Sequence, residues 1–262
     1  MEVHHHPHVE NPGGHAGKRF KEYFLEFIMI FLAVTLGFFA ETIRENITEH
    51  RRAREFAESM LQDLREDTTQ LRSYREYFDF AARNVDTLQQ LLAQAEPANI
   101  PSGKLYWYGL FGGSNRYFVP NDETFQQMKS SGSLRYFSKT VASAVGKYDR
   151  FCRLIQSHEA WEFSIYTEVR KLRALLFESK YNEVANVIFQ TRFTDLYQGR
   201  LDSFIRSDPP LLTNNKIAFN QYLELVRSRF LRTVVVRYAD STLNQANLLI
   251  NKLKKEYQLN DE

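Results

Sequence analysis

The regular pattern of the chain begins with an apolar run, Tyr23 to Ala40 (YFLEFIMIFLAVTLGFFA), in which Glu26 is the one acidic or basic residue. At about 1.5 Å of rise per residue, a helix over this run covers roughly 27 Å, close to the thickness of a bilayer's hydrocarbon core, and Phe20 and Ile43 can extend it. A transmembrane helix over 20–43 is therefore predicted. A cleaved signal peptide would have a shorter apolar region followed by small residues in a cleavable loop. Here Glu41-Thr-Ile-Arg-Glu-Asn-Ile-Thr-Glu-His continues in good helix formers with no turn residue. The same helix is expected to run on.

From Ala57 to Ala95 the pattern becomes a heptad. One position reads Ala57, Leu64, Leu71, Phe78, Val85, Leu92; three residues further on it reads Met60, Asp67, Tyr74, Ala81, Leu88, Ala95. Asp67 alone breaks the stripe. The flanking positions include Leu61, Thr68, Gln70, Tyr77, Ala82 and Leu91, where a freestanding coiled-coil dimer would usually carry charges. Such a wide apolar face predicts packing in a helical bundle. Glu96-Pro-Ala-Asn-Ile-Pro ends the helix, because each proline removes a donor and biases its predecessor away from helix.

The aromatic-rich segment 104–118 is expected to be extended or looped. A short helix opens after Pro120 with Asn121 or Asp122 as its cap, and Gly132 closes it in the left-handed conformation. Ser138 then caps a long helix reaching about Phe177. Its buried face reads Val141, Val145, Tyr148, Cys152, Ile155, Tyr166, Val169 and Leu176, interrupted by Glu159 and Glu162. One or two shorter helices, 180–192 and 194–205, lead to Ser207-Asp-Pro-Pro. A last long helix, capped by Asn214, runs to about Gln258 with Phe219, Leu223, Val226, Phe230, Val234, Tyr238, Ala246, Leu249, Leu253 and Tyr257 inward. Val234-Val-Val236 lowers its propensity without breaking the pattern. The expected fold is all-α: a disordered His-rich tail over 1–19, a transmembrane helix over 20–43, and a helical bundle domain over 44–262 with a short irregular aromatic-rich insertion.

Charge narrows the partners. Lysine and arginine total 34 against 32 acidic residues, so nucleic acid, which asks for a concentrated basic face, is not expected. Lys18, Arg19 and Lys21 crowd the start of the span, while Arg44 stands alone on the far side until Arg51, Arg52 and Arg54. Counts are nearly even, and the closer cluster predicts a cytoplasmic N-terminus with the C-terminal domain outside the inner membrane. The single cysteine, Cys152, allows no internal disulfide and reads as a small core residue.

Several groups carry possible chemistry. His4, His5, His6, His8 and His15 could chelate a metal, or simply belong to a flexible polar tail. Glu26, Ala33 and Gly37 share a face of the span. The small-xxx-small pair lets another helix approach, so a homo-oligomer or another membrane protein is an expected partner beside the lipid bilayer; Glu26 either joins that contact or snorkels to the headgroups. The aromatics Tyr106, Trp107 and Tyr108 read as the cap of one end of the bundle or as a ligand or partner contact. Ser130, Ser131 and Arg135 read as a structural corner or as an anion site. Gly109, Gly112 and Gly113 lack the Gly-Lys-Ser/Thr of a phosphate loop. His158, Glu159 and Glu162 lack the Glu-x-x-His of a di-iron bundle and read as a solvated or locally paired cluster. No nucleophile elbow or metal-ligand spacing is present, so neither catalysis nor a cofactor is expected.

Two stretches resemble a known group. A short basic N-terminus, one anchor helix and Arg54-Glu-Phe-Ala-Glu-Ser-Met-Leu-Gln-Asp-Leu-Arg-Glu-Asp form one half; Asn121-Asp-Glu-Thr-Phe-Gln-Gln-Met-Lys-Ser-Ser-Gly-Ser-Leu-Arg with a following helix centred on Tyr148 forms the other. Together they resemble uncharacterised bacterial single-pass membrane proteins with a helical domain of unknown function. The resemblance implies the architecture and carries no site residues. The expected function is a membrane-anchored bundle working through protein contacts, as scaffold, sensor or subunit of an envelope complex. The alternative is a small-ligand-sensing bundle with its site near 104–118 and 130–135.

Overall fold

The computed structural model describes residues 15–113, 115–230 and 232–259. His4, His5, His6 and His8 of the expected tail lie outside them, whereas residues 15–19 already belong to the first helix. Among the described residues the protein is helical, with an isolated bridge between Phe177 and Leu211. The helices are α1 (His15–Gln94), α2 (Ser102–Tyr108), α3 (Glu123–Ser130), α4 (Lys139–Leu176), α5 (Ser179–Gln190), α6 (Leu196–Arg206), α7 (Lys216–Arg229) and α8 (Arg232–Tyr257), with 3-10 turns at Pro97–Asn99, Leu110–Gly113 and Ser133–Tyr136. The chain divides into two compact units, the first ending at Glu55 and the second covering Phe56–Glu262.

In the first unit, the consecutive residues Met29, Ile30, Phe31 and Leu32 are all exposed. Successive helical residues are about 100° apart, so four in a row cover every side. None of the most apolar window of α1 is buried, and α1 is the one helix among the described residues long and apolar enough to cross a membrane.

In the second unit the heptad stripe of α1 is buried from Ala57 to Leu88, Asp67 included. Phe78 meets Phe230 at 5.8 Å between ring centroids, and Arg75 donates to Asp240 of α8 at 2.6 Å. α4 packs along α7 and α8, and α2 packs on α5 and α6. Ser138 caps α4 as its position predicts, its Oγ accepting from the Val141 amide at 3.2 Å. Gly132 takes φ 70° after α3, the left-handed conformation for which glycine carries no steric penalty.

Four expectations are corrected. The aromatic segment is not extended: 102–108 is α2 and 110–113 a 3-10 turn, leaving 115–122 irregular. Its start is pinned by Asp208, which accepts from the Ser102 amide at 3.0 Å, and by the Ser102 hydroxyl donating to the Pro209 carbonyl. The last predicted helix is two. α7 ends at Arg229, Phe230 leaves the helical region (φ −105°, ψ 40°), and α8 begins just before the β-branched Val234–Val236. The restart turns the first half of α8, so that Val235, Ala239 and Thr242 are buried instead of Val234 and Tyr238. Asn215, not Asn214, caps α7, accepting from the Ala218 amide at 3.1 Å. Finally, Glu159 and Glu162 are not solvated but buried, each with partners distant in sequence.

Candidate functional site

Glu26, Ala33 and Gly37 lie on the exposed surface of α1, and a Cβ added at Gly37 would meet nothing within 4 Å. Tyr106 and Trp107 are enclosed. The Tyr106 hydroxyl donates to the Pro210 carbonyl at 2.7 Å and accepts from the Glu178 amide at 2.8 Å, while its ring meets Phe177, Tyr181 and Phe204. Trp107 sits among Phe111, Phe189 and Tyr197, and Tyr108 is half-buried. These rings pack α2 against α5, α6 and Phe177. Ser130 and Ser131 donate to the Gln127 carbonyl at 3.1 and 2.7 Å, closing the end of α3. Arg135 is exposed and stacks 5.0 Å above its neighbour Tyr136. The two stretches thus find different neighbours.

The concave site forms elsewhere, where α1, the 120–122 segment, α3 and α4 meet. Its volume is about 280 Å³. Met60, Leu64, Phe125 and Val145 make apolar walls, and Asp63, Asp67, Asn121 and Tyr148 bring polar groups to it. Asp67 is fully buried. Its Oδ1 accepts from the Asn121 backbone amide at 2.8 Å and from Asn121 Nδ2 at 3.0 Å, and its Oδ2 accepts from the Tyr148 hydroxyl at 2.5 Å. Burial raises the Asp67 carboxyl above the ordinary range; the bonds from Tyr148 and Asn121 oppose this, and the nearby Asp63 adds to it. Burial likewise drives the Tyr148 hydroxyl far up and pushes the Cys152 thiol up to about 12. A thiol so raised favours its protonated form over the thiolate. The arrangement holds and orients; it is not an activated dyad.

Asn121 or Asp122 was expected to cap α3; the Asn121 backbone amide and Nδ2 both donate to Asp67. Asp122 stands at the cap position without a side-chain cap bond. One periodic signal pointed here: an aspartate inside an apolar stripe. Asp63, one turn earlier, gave none, and Asn121, 54 residues later, drew notice only as a cap candidate and at the head of a resembling stretch.

A second polar cluster lies deeper. Glu159 accepts from the Phe118 amide at 2.9 Å and bonds Tyr74; burial nevertheless pushes its carboxyl up to about 7. One turn on, Glu162 Oε1 accepts from Arg229 Nε at 3.1 Å and Nη2 at 2.7 Å, while Arg229 Nη1 donates to the Gly112 carbonyl at 2.6 Å. This cluster ties α4, α7 and the 110–118 segment. Among the described residues, no group of three or more His, Cys, Asp or Glu side chains is placed to hold a metal ion.

No protein-family model, no curated protein and no solved structure matches this chain.

Proposed function

We propose that the protein is a single-pass membrane-anchored helical bundle that works through protein contacts and carries out no catalysis. The observation that carries this reading is the outward exposure of the apolar side chains over 20–43, a surface suited to lipid and costly in water. The second unit supplies a surface for partners. Val184 and Val187 on α5 and Leu196 on α6 are exposed, with Phe193 between the helices 83% exposed. Aromatic and aliphatic groups so presented favour protein docking. On this reading the bilayer and either a second copy or another membrane protein are the partners, in keeping with the resemblance to bacterial single-pass proteins.

The test is photo-crosslinking in cells from a probe at Val187, compared with one at Glu123. A discrete adduct from the Val187 probe, weakened by Phe193→Asp, is expected. Equal crosslinking from both probes, or release of the protein from membranes by alkaline carbonate, would refute the proposal.

A second reading, ligand sensing, is favoured by the cavity at Asp67. A concave space with apolar walls and a few convergent polar groups is the usual form of a small-molecule site. On this reading the site lies at 60–67, 120–129 and 145–156 rather than at 104–118 and 130–135.

A further inference from the structure

A cleft between α1 and the turn that joins α5 to α6 is walled by aromatic rings and by guanidinium groups. Its volume is about 260 Å³, and Tyr77, Phe189, Phe193 and Tyr197 line it. Arg192 lies 4.5 Å over the centre of the Phe189 ring and 4.3 Å over that of Phe193, and Arg116 lies 5.9 Å over Tyr77. Such stacking engages the face of a guanidinium and leaves the N–H groups at its edge open. Among the described residues, Arg192 Nη1 donates to the Phe189 carbonyl at 3.5 Å, and the Arg116 guanidinium donates to none. Arg83, also in the lining, is paired with Asp79, whereas neither Arg116 nor Arg192 has a carboxylate partner among the described residues. Glu76, the acidic residue of the lining, is exposed, and the guanidinium that feels its charge is that of Arg75. Burial, and then the charge of Arg116, hold the Arg192 guanidinium below its ordinary value; Tyr77 and Tyr197 oppose this, and no carboxylate does. Two half-buried cations share one space without a counter-charge.

We propose that this cleft receives an acidic residue of a partner protein, an Asp or Glu that sets its carboxylate against Arg116 and Arg192 while an apolar neighbour lies on Phe193. The assignment rests on the protein-contact reading and gives the partner its chemistry. Charge complementarity carries it. A planar carboxylate accepts parallel bonds from a guanidinium edge, and its charge relieves the repulsion between the two cations. A basic residue adds to that repulsion, and a neutral one leaves it in place. Phe193, 83% exposed, also belongs to the apolar group of α5 and α6 that faces partners, so one short segment satisfies both features. A guanidinium already stacked on its ring has less freedom to lose on docking than a free side chain.

The experiment uses the full chain in cells, with the photo-probe at Val187. The unaltered chain is compared with Arg116→Gln/Arg192→Gln and with Lys139→Gln/Lys147→Gln, which removes as much charge from α4. The discrete adduct is expected to fall at least about tenfold in the first double variant, the ratio worth one charge-assisted bond, and to persist in the second. A further chain, Arg192→Lys, is treated with a carbodiimide, which joins an amine directly to a carboxylate, and mass spectrometry locates the link. The introduced lysine is expected to be joined to an Asp or Glu of another protein. Circular dichroism of each purified chain checks the fold; should Arg116→Gln/Arg192→Gln lose helix, the coupling result decides. If the adduct survives loss of both arginines, the acidic partner falls and the protein-contact reading stands. If the introduced lysine joins no carboxylate of another chain, a different anion fills the cleft and the assignment falls. A link to a second copy of this chain would replace the partner by a homo-oligomer. If the probe gives no discrete adduct in the unaltered chain, both readings fall.

Discussion

Arg229 and Glu162 have side chains 0% and 1% exposed, which makes their pairing costly to break from one side. Removing either partner strands a charge away from water, and such single losses amount to about 3–5 kcal/mol. Arg229→Met and Glu162→Met are each expected to lose that much in urea unfolding, while Glu162→Met/Arg229→Met loses clearly less than the sum. An additive double variant would show that the two groups are not coupled. Glu159 lends itself to a pH test. Its carboxyl rises from an ordinary 4.5 to about 7, chiefly through burial, so the folded chain binds that proton more tightly than the unfolded one. The stability from this group is therefore complete below 4.5 and is lost as pH rises through about 7. Stability should fall between pH 5 and pH 8 by on the order of 2 kcal/mol more in the wild type than in Glu159→Gln. His158, whose imidazole burial lowers, acts in the opposite sense but is common to both proteins. Parallel curves would remove Glu159 from the account.

The elements differ in how far sequence alone reaches them. The end of α3 and the start of α4 follow their punctuation: Gly132 and Ser138 act locally, and the apolar stripe of α4 is buried at nearly every expected position. The aromatic segment and the buried glutamates were misplaced because the deciding partner is remote. α2 forms inside the aromatic segment because its start is pinned by residues 208 and 209, and because Gly103 lets α6 approach. A methyl at 103 would sit 2.0 Å from the Phe204 carbonyl oxygen and 2.7 Å from that of Ser207, both backbone atoms with little freedom to yield. Gly103→Ala is expected to cost about 1–3 kcal/mol or more, as overpacking does, and to appear as a lowered urea midpoint with an unchanged slope. An unaffected midpoint would mean that α6 moves freely. The division of α7 from α8 was likewise illegible, since neither glycine nor proline marks Phe230.

For the whole molecule, orientation follows from the basic cluster at 18–21, which we propose to be cytoplasmic with the second unit outside. A membrane-impermeant thiol reagent on intact cells should label a cysteine placed near Gln258 and spare one in the tail; labelling of the tail alone would reverse the topology. Cys152 contributes no background, being buried with a thiol held up to about 12. As for the site, periodicity exposed Asp67 as a polar residue on an inward face, yet the cavity that it joins is assembled from three separated stretches. No spacing rule connects Asp63 to Asn121 or Val145. The tie between Asp67 and Asn121 also bears on how the cavity is reached. One wall of it belongs to α3, an eight-residue helix fastened at its entrance by a single aspartate and begun without a side-chain cap. Such a short element, with Thr124 and Met128 as its buried residues, is expected to open locally before the long helices do. Amides of 124–130 should exchange with deuterium well before those around Tyr148, and a bound ligand should slow the first set while leaving the second alone.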